Sequence, residues 1–391
     1  IVNMMRKISV NMNKSRGLSL IELLVSMVLG LTLATGVVQI YAGSNTTERD
    51  REARQRIQEN GRFSLNFLSQ QVRMAGYLGC LGLEGVSVNN TLNAAPATFQ
   101  PQFGIQGWEA TGTTPGTINN SANDVALVAT NTAEWTNGEV GHVIPIFNAV
   151  PNSDIVRIWG AGGSPGIVTS VTSGLGVVTP SFQAENDVGI AVDDFLLISD
   201  CEQADFVQAC VVSPVGGGTT SNVVLSTACS PGNVANSRIS SQTSGANPAE
   251  VVRLQGTIFY VGKRGELATN GSSLFRRELS ATGTADAAEE LIEGVESMQI
   301  LYGINVDLDI RNTVDAYVPA NLVTEFSKVI SIRISLLMQS VADGSVPAPQ
   351  AYTFDGVIYD GSAGNGNLPT DNRVRRVFTS TMGLRNRALG A

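Results

Sequence analysis

The stretch KSRGLSLIELLVSMVLG, residues 14–30, decides the fold. Lys14 and Arg16 lead into Gly17, and an apolar run then extends to Tyr41. That run is long enough to span a bilayer as a helix, which takes about 20 residues. A secretory signal is cut after its apolar stretch. Here the one plausible cut, Gly17–Leu18, lies before it, so cleavage would remove a basic leader and keep the helix. The basic side faces the cytoplasm by the positive-inside rule. Met4, Met5 and Met12 are candidate starts, and Met12 would leave the leader MNKSRG. Glu22 is the anomaly, because a lone carboxylate in hydrocarbon costs on the order of a few kcal/mol and nearly always has a partner. Cleavage would create an amine on Leu18, one turn before Glu22 on the same helix face. The predicted pair is Glu22 with that amine, in the same subunit or a neighbouring one. The blander alternative is a membrane-edge glutamate wetted by headgroups.

RGLSLIELLVSMVLGL, residues 16–31, resembles the class III signal of type IV pilins and pseudopilins. The resemblance implies that a prepilin peptidase cleaves after Gly17 and methylates the new amino terminus at Leu18. It covers only the first part of the chain and names a superfamily.

Composition sets bounds on the rest. The chain has 391 residues, formal charge −9, 6% aromatic and 15% charged residues. Loss of the leader would leave 21 basic and 34 acidic side chains. Such a surface repels nucleic acid, which demands clustered Lys and Arg. Four cysteines, Cys80, Cys201, Cys210 and Cys229, contain no C-x-x-C pair, and the only histidine, His142, is remote in sequence, so zinc spacing is absent. In an exported chain they predict two disulfides.

The helix is expected to continue past the apolar run. Ala53, Ile57, Gly61, Leu65, Leu68, Val72 and Ala75 recur in steps of three and four and predict a buried stripe. Glu48 to Glu59 supply a charged, solvated face, and Gly76 is the predicted stop. From Leu18 to Ala75 such a helix would measure about 87 Å. Residues 77–250 read as a loop-rich β region, with strands at DVALVAT (124–130), SDIVRIWG (153–160), DFLLISDC (194–201) and SNVVLST (221–227). Residues 97–111 read as a surface loop anchored by Trp108, and Trp108, Trp135 and Trp159 as core or loop anchors. Residues 251–391 form a second β region. It includes EVVRLQGTIFYVGKRGEL from residue 250, SSLFRRELS from 272, VISIRISLLMQS from 329, QAYTFDGVIY from 350 and VRRVFTSTMGLRN from 374. TADAAEELIEGVESM, 284–298, is expected to begin as a short helix and turn to strand near Met298. The predicted organisation is a leader at 1–17, a transmembrane or filament-core helix at 18–41, its amphipathic continuation at 42–76, and the two β regions. The fold class is α+β and pilin-like: a long N-terminal helix packed on antiparallel sheet, with a large loop-rich β insertion.

MAGYLGC (74–80), SDCEQADFVQAC (199–210), LIEGVESMQILYGINVD (291–307) and DNRVRRVFTSTMGLRNR (371–387) resemble the PilW minor pilins of type IV pili. That resemblance implies an inner-membrane subunit with a periplasmic C-terminal part. It would join other minor pilins and the major pilin, prime pilus assembly in support of twitching motility, and sit at the tip beneath a PilY-type adhesin. The alternatives are a GspJ-like type II secretion pseudopilin and, in another class, a membrane-anchored periplasmic binding protein.

Chemistry is sparse. A Ser-His-Asp triad could use only His142, and the G-x-S-x-G spelling GGSPG at 162–166 lies in a glycine-rich turn cluster rather than at a strand-to-helix elbow. GAGGSPG, 160–166, lacks the Lys-Ser/Thr ending of a phosphate loop. No enzyme class and no cofactor is expected. Calcium candidates are Glu185, Asp187, Asp193 and Asp194; Asp307, Asp309 and Asp315; and, foremost, Asp360, Asn365, Asn367 and Asp371. None fits the EF-hand pattern, and such Asp and Asn residues more often serve turn chemistry. For the cysteines the preferred pairing is Cys80–Cys201, tying the helix to the β region, with Cys210–Cys229, closing a strand–turn–strand segment. The rival is Cys201–Cys210 with Cys80–Cys229.

Overall fold

The computed structural model describes residues 19–77, 88–93, 104–110, 135–137, 149–174, 176–185, 188–200, 203–215, 217–218, 220–239, 249–263, 271–279, 287–306 and 313–388. The chain divides into two compact units, 1–52 and 53–391. Helix α1, Leu20–Met74, contributes to both.

In the first unit α1 carries Leu20, Ile21, Leu23, Leu24, Val25 and the following apolar side chains fully out from the helix, all exposed. An 18-residue window here reaches a mean hydropathy of 2.1, long and apolar enough to cross a membrane. Short hydroxyl side chains within it satisfy themselves locally. Ser26 Oγ donates to Leu23 O at 2.9 Å, and Thr35 Oγ1 to Leu31 O at 2.8 Å. A polar group facing hydrocarbon requires this internal pairing.

In the second unit α1 buries Ile57, Gly61, Ser64, Leu68 and Val72. This is the predicted stripe with one change: Ser64, whose hydroxyl donates to Asn60 O at 2.7 Å, takes the central place, and Leu65 packs from the flank. Gly61 lets the helix approach Phe378, since a Cβ there would lie 2.5 Å from the ring. The helix stops as expected: Gly76 adopts φ 67°, and its N–H donates to Trp159 O at 2.8 Å. Asn386 Nδ2 caps the freed carbonyl of Ala75 at 3.1 Å.

Nineteen strands follow among the described residues. They are β1 Val88–Asn90, β2 Ile105–Ala110, β3 Trp135–Thr136, β4 Ile155–Ala161, β5 Gly166–Thr172, β6 Ser181–Glu185, β7 Phe195–Ser199, β8 Ala204–Gln208, β9 Val211–Val215 and β10 Thr220–Val224. Then come β11 Glu250–Lys263, β12 Ser272–Leu279, β13 Glu289–Glu293, β14 Val295–Ile304, β15 Ala316–Val318, β16 Val329–Gln339, β17 Tyr352–Phe354, β18 Val357–Tyr359 and β19 Arg375–Gly383, with a last turn of helix, α2, at Arg385–Ala388.

Four of them form an antiparallel sheet in the order β15-β14-β16-β19. Ile332, Ile334, Leu336 and Met338 of β16 alternate onto the α1 side, joining Ile57, Leu68 and Val72 in one core. On the other face Leu337 is covered by the β17–β18 hairpin, through Phe354 and Tyr359. That hairpin turns on Asp355 and Gly356, both at positive φ (48° and 77°), the backbone a two-residue Asp-Gly turn needs. Thirteen strands form the second sheet, and β11 is its hub. Its start pairs β5 and β7, its later part pairs β4 and β12.

Two expectations are corrected. Residues 105–110 are not a surface loop but the buried strand β2, with Trp108 fully enclosed beside Trp135 and Tyr260. Residues 289–293 are not helix but strand β13, because Ile292 pairs with Leu274 and Glu289 is bonded to Arg276 at 2.7 Å on β12. Tertiary pairing overrides the helix preference of Ala and Glu. The strand at 124–130 lies outside the described residues.

Candidate functional site

A chemically unusual segment lies at the start of α1. Ser19 precedes the helix, and Glu22 sits at its third position. Ser19 N–H donates to Glu22 Oε2 at 3.2 Å, Ser19 Oγ donates to the same oxygen at 3.3 Å, and Glu22 N–H donates to Ser19 Oγ at 3.3 Å. This is a reciprocal capping box, S-x-x-E, which satisfies two of the orphan amides at a helix start. The same carboxylate also lies where the helix dipole favours a negative charge. Sequence reasoning found Glu22 by its cost in a bilayer but missed Ser19, although the S-x-x-E spacing was there to be read. Gly17 and Leu18 lie outside the described residues.

The larger unit holds the other sequence-predicted residues. Cys210 and Cys229 form a disulfide, with Cα atoms 5.3 Å apart, which excludes the rival Cys201–Cys210 pairing. It fastens the residue before β9 to the segment after β10. Gln208 and Asn233 hold the same place reciprocally: Gln208 N–H donates to Asn233 Oδ1 at 2.8 Å, and Asn233 Nδ2 to Gln208 O at 2.9 Å. Cys80, Cys201 and His142 lie outside the described residues.

Of the foremost calcium candidates, Asp360, Asn365 and Asp371 already have other partners. Asp360 Oδ1 accepts from Ser362 N–H at 2.8 Å and Asn365 Nδ2 at 2.9 Å, an Asx turn. Those hydrogen bonds hold its carboxyl below the usual range. Asp371 is bidentate to Arg375, at 2.6 and 2.9 Å. Of the others, Asp194 Oδ2 accepts from Ala191 N–H at 2.7 Å and pairs with Arg253 at 2.8 Å, and Asp315 Oδ2 accepts from Val306 N–H at 2.7 Å. Asp187, Asp307 and Asp309 lie outside the described residues. Among those described, no group of three His, Cys, Asp or Glu side chains could hold a metal ion.

Two buried charge clusters were not found from sequence. Arg375 joins Glu296 and Asp371, and Glu109 lies beside Asp154 beneath Tyr302. Each assembles residues far apart in the chain, so no local pattern announces it.

Comparison with known families gives two matches. Residues 12–38 match the prokaryotic N-terminal methylation motif. Residues 258–386 match the family described as type IV pilus-assembly protein W. The first holds Gly17, Leu18, Ser19 and Glu22; the second begins within β11 and takes in the whole four-stranded sheet. No curated protein and no solved structure matches the chain.

Proposed function

We propose that this chain, a type IV pilus-related, pilin-like protein, is a PilW-type minor pilin: a structural subunit that helps prime pilus assembly. The carrying observation is that one chain joins a methylation motif on a long apolar helix to a PilW-like sheet. The helix and motif fit anchoring in the inner membrane followed by incorporation into a pilus. A prepilin peptidase would cut after Gly17, and the β unit would lie in the periplasm until assembly. Other minor pilins and the major pilin would be its neighbours, in a tip complex below a PilY-type adhesin that supports twitching motility.

In this account Glu22 has two tasks, capping its own helix and meeting the amine of Leu18. Two variants separate them. Glu22→Gln keeps the capping box, which Gln also completes, and removes the charge. Ser19→Ala removes the cap and keeps the charge. Sheared surface pili are collected from each strain and the subunit is quantified by immunoblot. Incorporation should fall for Glu22→Gln with leader cleavage intact, and stay near wild type for Ser19→Ala. Equal losses in both would reject the charge pair, and wild-type incorporation of Glu22→Gln would reject the assembly role of this carboxylate.

A further inference from the structure

The β2–β4 ladder sets Ile105 opposite Ile158 and Trp108 opposite Ile155. One step further, the same register places Glu109 opposite Asp154. Both sit on the face that carries Gly107 and Val156, turned toward Tyr302 of β14. Gly107 is needed there, because a Cβ would overlap the Tyr302 hydroxyl.

Asp154 is 1% exposed. Its Oδ1 accepts from Ala110 N–H of β2 at 2.9 Å, and its Oδ2 from Ile300 N–H of β14 at 2.7 Å. One carboxylate therefore bridges the two sheets. Neighbouring bonds follow the same line: Asp154 N–H donates to Met298 O at 2.8 Å, and Met298 N–H to Ser153 Oγ at 3.0 Å. Glu109 Oε2 accepts from Ala320 N–H at 3.2 Å. Asp355, in the β17–β18 turn, adds a third acid to the surroundings. The Tyr302 hydroxyl is buried without a hydrogen-bond partner. Among the described residues, the charged and titratable groups acting on Asp154 are Glu109 and Asp355, and those acting on Tyr302 are Asp154 and Glu109, all acidic. The segment 111–134 between β2 and β3 holds no Lys, Arg or His.

Two carboxylates opposite each other on paired strands repel when both are ionised, and burial sharpens the repulsion. We propose that the seam between β2 and β14 is a proton-operated joint, closed while the buried Glu109–Asp154 pair keeps a proton and loosened when both carboxyls are ionised. The direction of titration agrees. Burial pushes Glu109 up to about 7, against the Ala320 hydrogen bond, and burial with the Glu109 charge pushes Asp154 well above the carboxylate range. A carboxyl whose folded value is raised binds more protons folded than unfolded. Its stabilisation is complete below the ordinary carboxylate value and is lost as pH rises through about 7. The two titrate as a pair rather than as separate sites.

The test uses the full chain in detergent, its thermal midpoint followed by circular dichroism from pH 5.5 to 8.5. The wild type should melt several degrees lower at pH 8.5 than at pH 5.5. Glu109→Gln, which keeps an acceptor for Ala320, should reduce that slope, leaving the part that burial of Asp154 alone produces, and raise the midpoint at pH 8.5. Hydrogen exchange gives a local reading: the Ala110 and Ile300 amides should exchange about tenfold faster at pH 8.5 after correction for intrinsic rate. Should Glu109→Gln fail to fold, infrared spectra of the wild type and of Glu296→Gln decide, through a protonated-carboxyl band present at pH 6, weaker at pH 8.5 and retained in Glu296→Gln. A flat wild-type profile, an unchanged slope in Glu109→Gln, or no such band would overturn the proposal.

Discussion

Replacing Arg375 by Met tests how the PilW-like sheet is held. The Arg375 side chain is 5% exposed. Its Nε and Nη2 meet the two oxygens of Glu296 at 2.7 and 2.9 Å, and its Nη1 and Nη2 meet those of Asp371 at 2.6 and 2.9 Å. One guanidinium thus ties β19 to β14 across β16, and its Cζ lies 5.8 Å from the centroid of the Tyr352 ring. The two acids respond differently. Burial pushes Glu296 up despite Arg375, whereas for Asp371 burial is outweighed by the Arg375 hydrogen bonds and charge, which hold it low. Glu296, 15% exposed, would be left as a buried charge with its bidentate partner gone, while Asp371, 29% exposed, can turn to water. Breaking a buried pair costs about 3–5 kcal/mol, and the exposure of Asp371 favours the lower end, ~3 kcal/mol. The thermal midpoint of the full chain in detergent at pH 7 should fall by roughly 6–9 °C. Adding Glu296→Gln should recover more than half of the loss, because the orphan is then neutral. The loss should also shrink as pH falls and Glu296 takes a proton. A single variant within ~1 kcal/mol of wild type, or a double variant no better than the single, would refute the reasoning.

Two further outcomes follow from packing and connectivity. Gly61→Ala gains about 1 kcal/mol of helix propensity but pushes a methyl to 2.5 Å from Phe378; overpacking of about 1–3 kcal/mol should make the net effect a modest loss. Gly61→Leu should lose more, with partial recovery by Phe378→Ala, and no recovery would show that the contact is not what limits the site. Replacing both Cys210 and Cys229 by Ser opens a loop with sequence separation 19, and should cost about 3 kcal/mol by the chain-entropy relation. Urea unfolding reads the loss, and an unchanged midpoint would mean that the Gln208–Asn233 hydrogen bonds alone suffice.

Local patterns were legible in the sequence, and contacts between distant segments were not. β16 could be read because Ile332, Ile334 and Leu336 alternate with Arg333 and Ser335 on a sheet with one face against α1. β2 could not, because both its faces are covered: Ile105 joins the α1 core, while Trp108 enters a separate cluster, so alternation never shows. β13 reads as helix by composition and becomes a strand because β12 offers it a ladder. The site divides in the same way. Gly17, Leu18 and Glu22 are a short contiguous signal, whereas Glu296 and Arg375 are 79 residues apart in sequence and meet only in the folded chain. The Cys210–Cys229 pair could be preferred in advance because it closes across the β9–β10 hairpin.

The central claim is that this chain is a processed pilin-type subunit, and its mature amino terminus tests that claim most directly. Membrane-fraction protein from cells with an active prepilin peptidase is purified, digested and analysed by mass spectrometry. The account predicts an amino-terminal peptide beginning at Leu18 and carrying one methyl group on its amine, and a chain that keeps Arg16 and Gly17 when the peptidase is deleted. A mature chain beginning at any other residue, or one that retains the leader with the peptidase present, would contradict it.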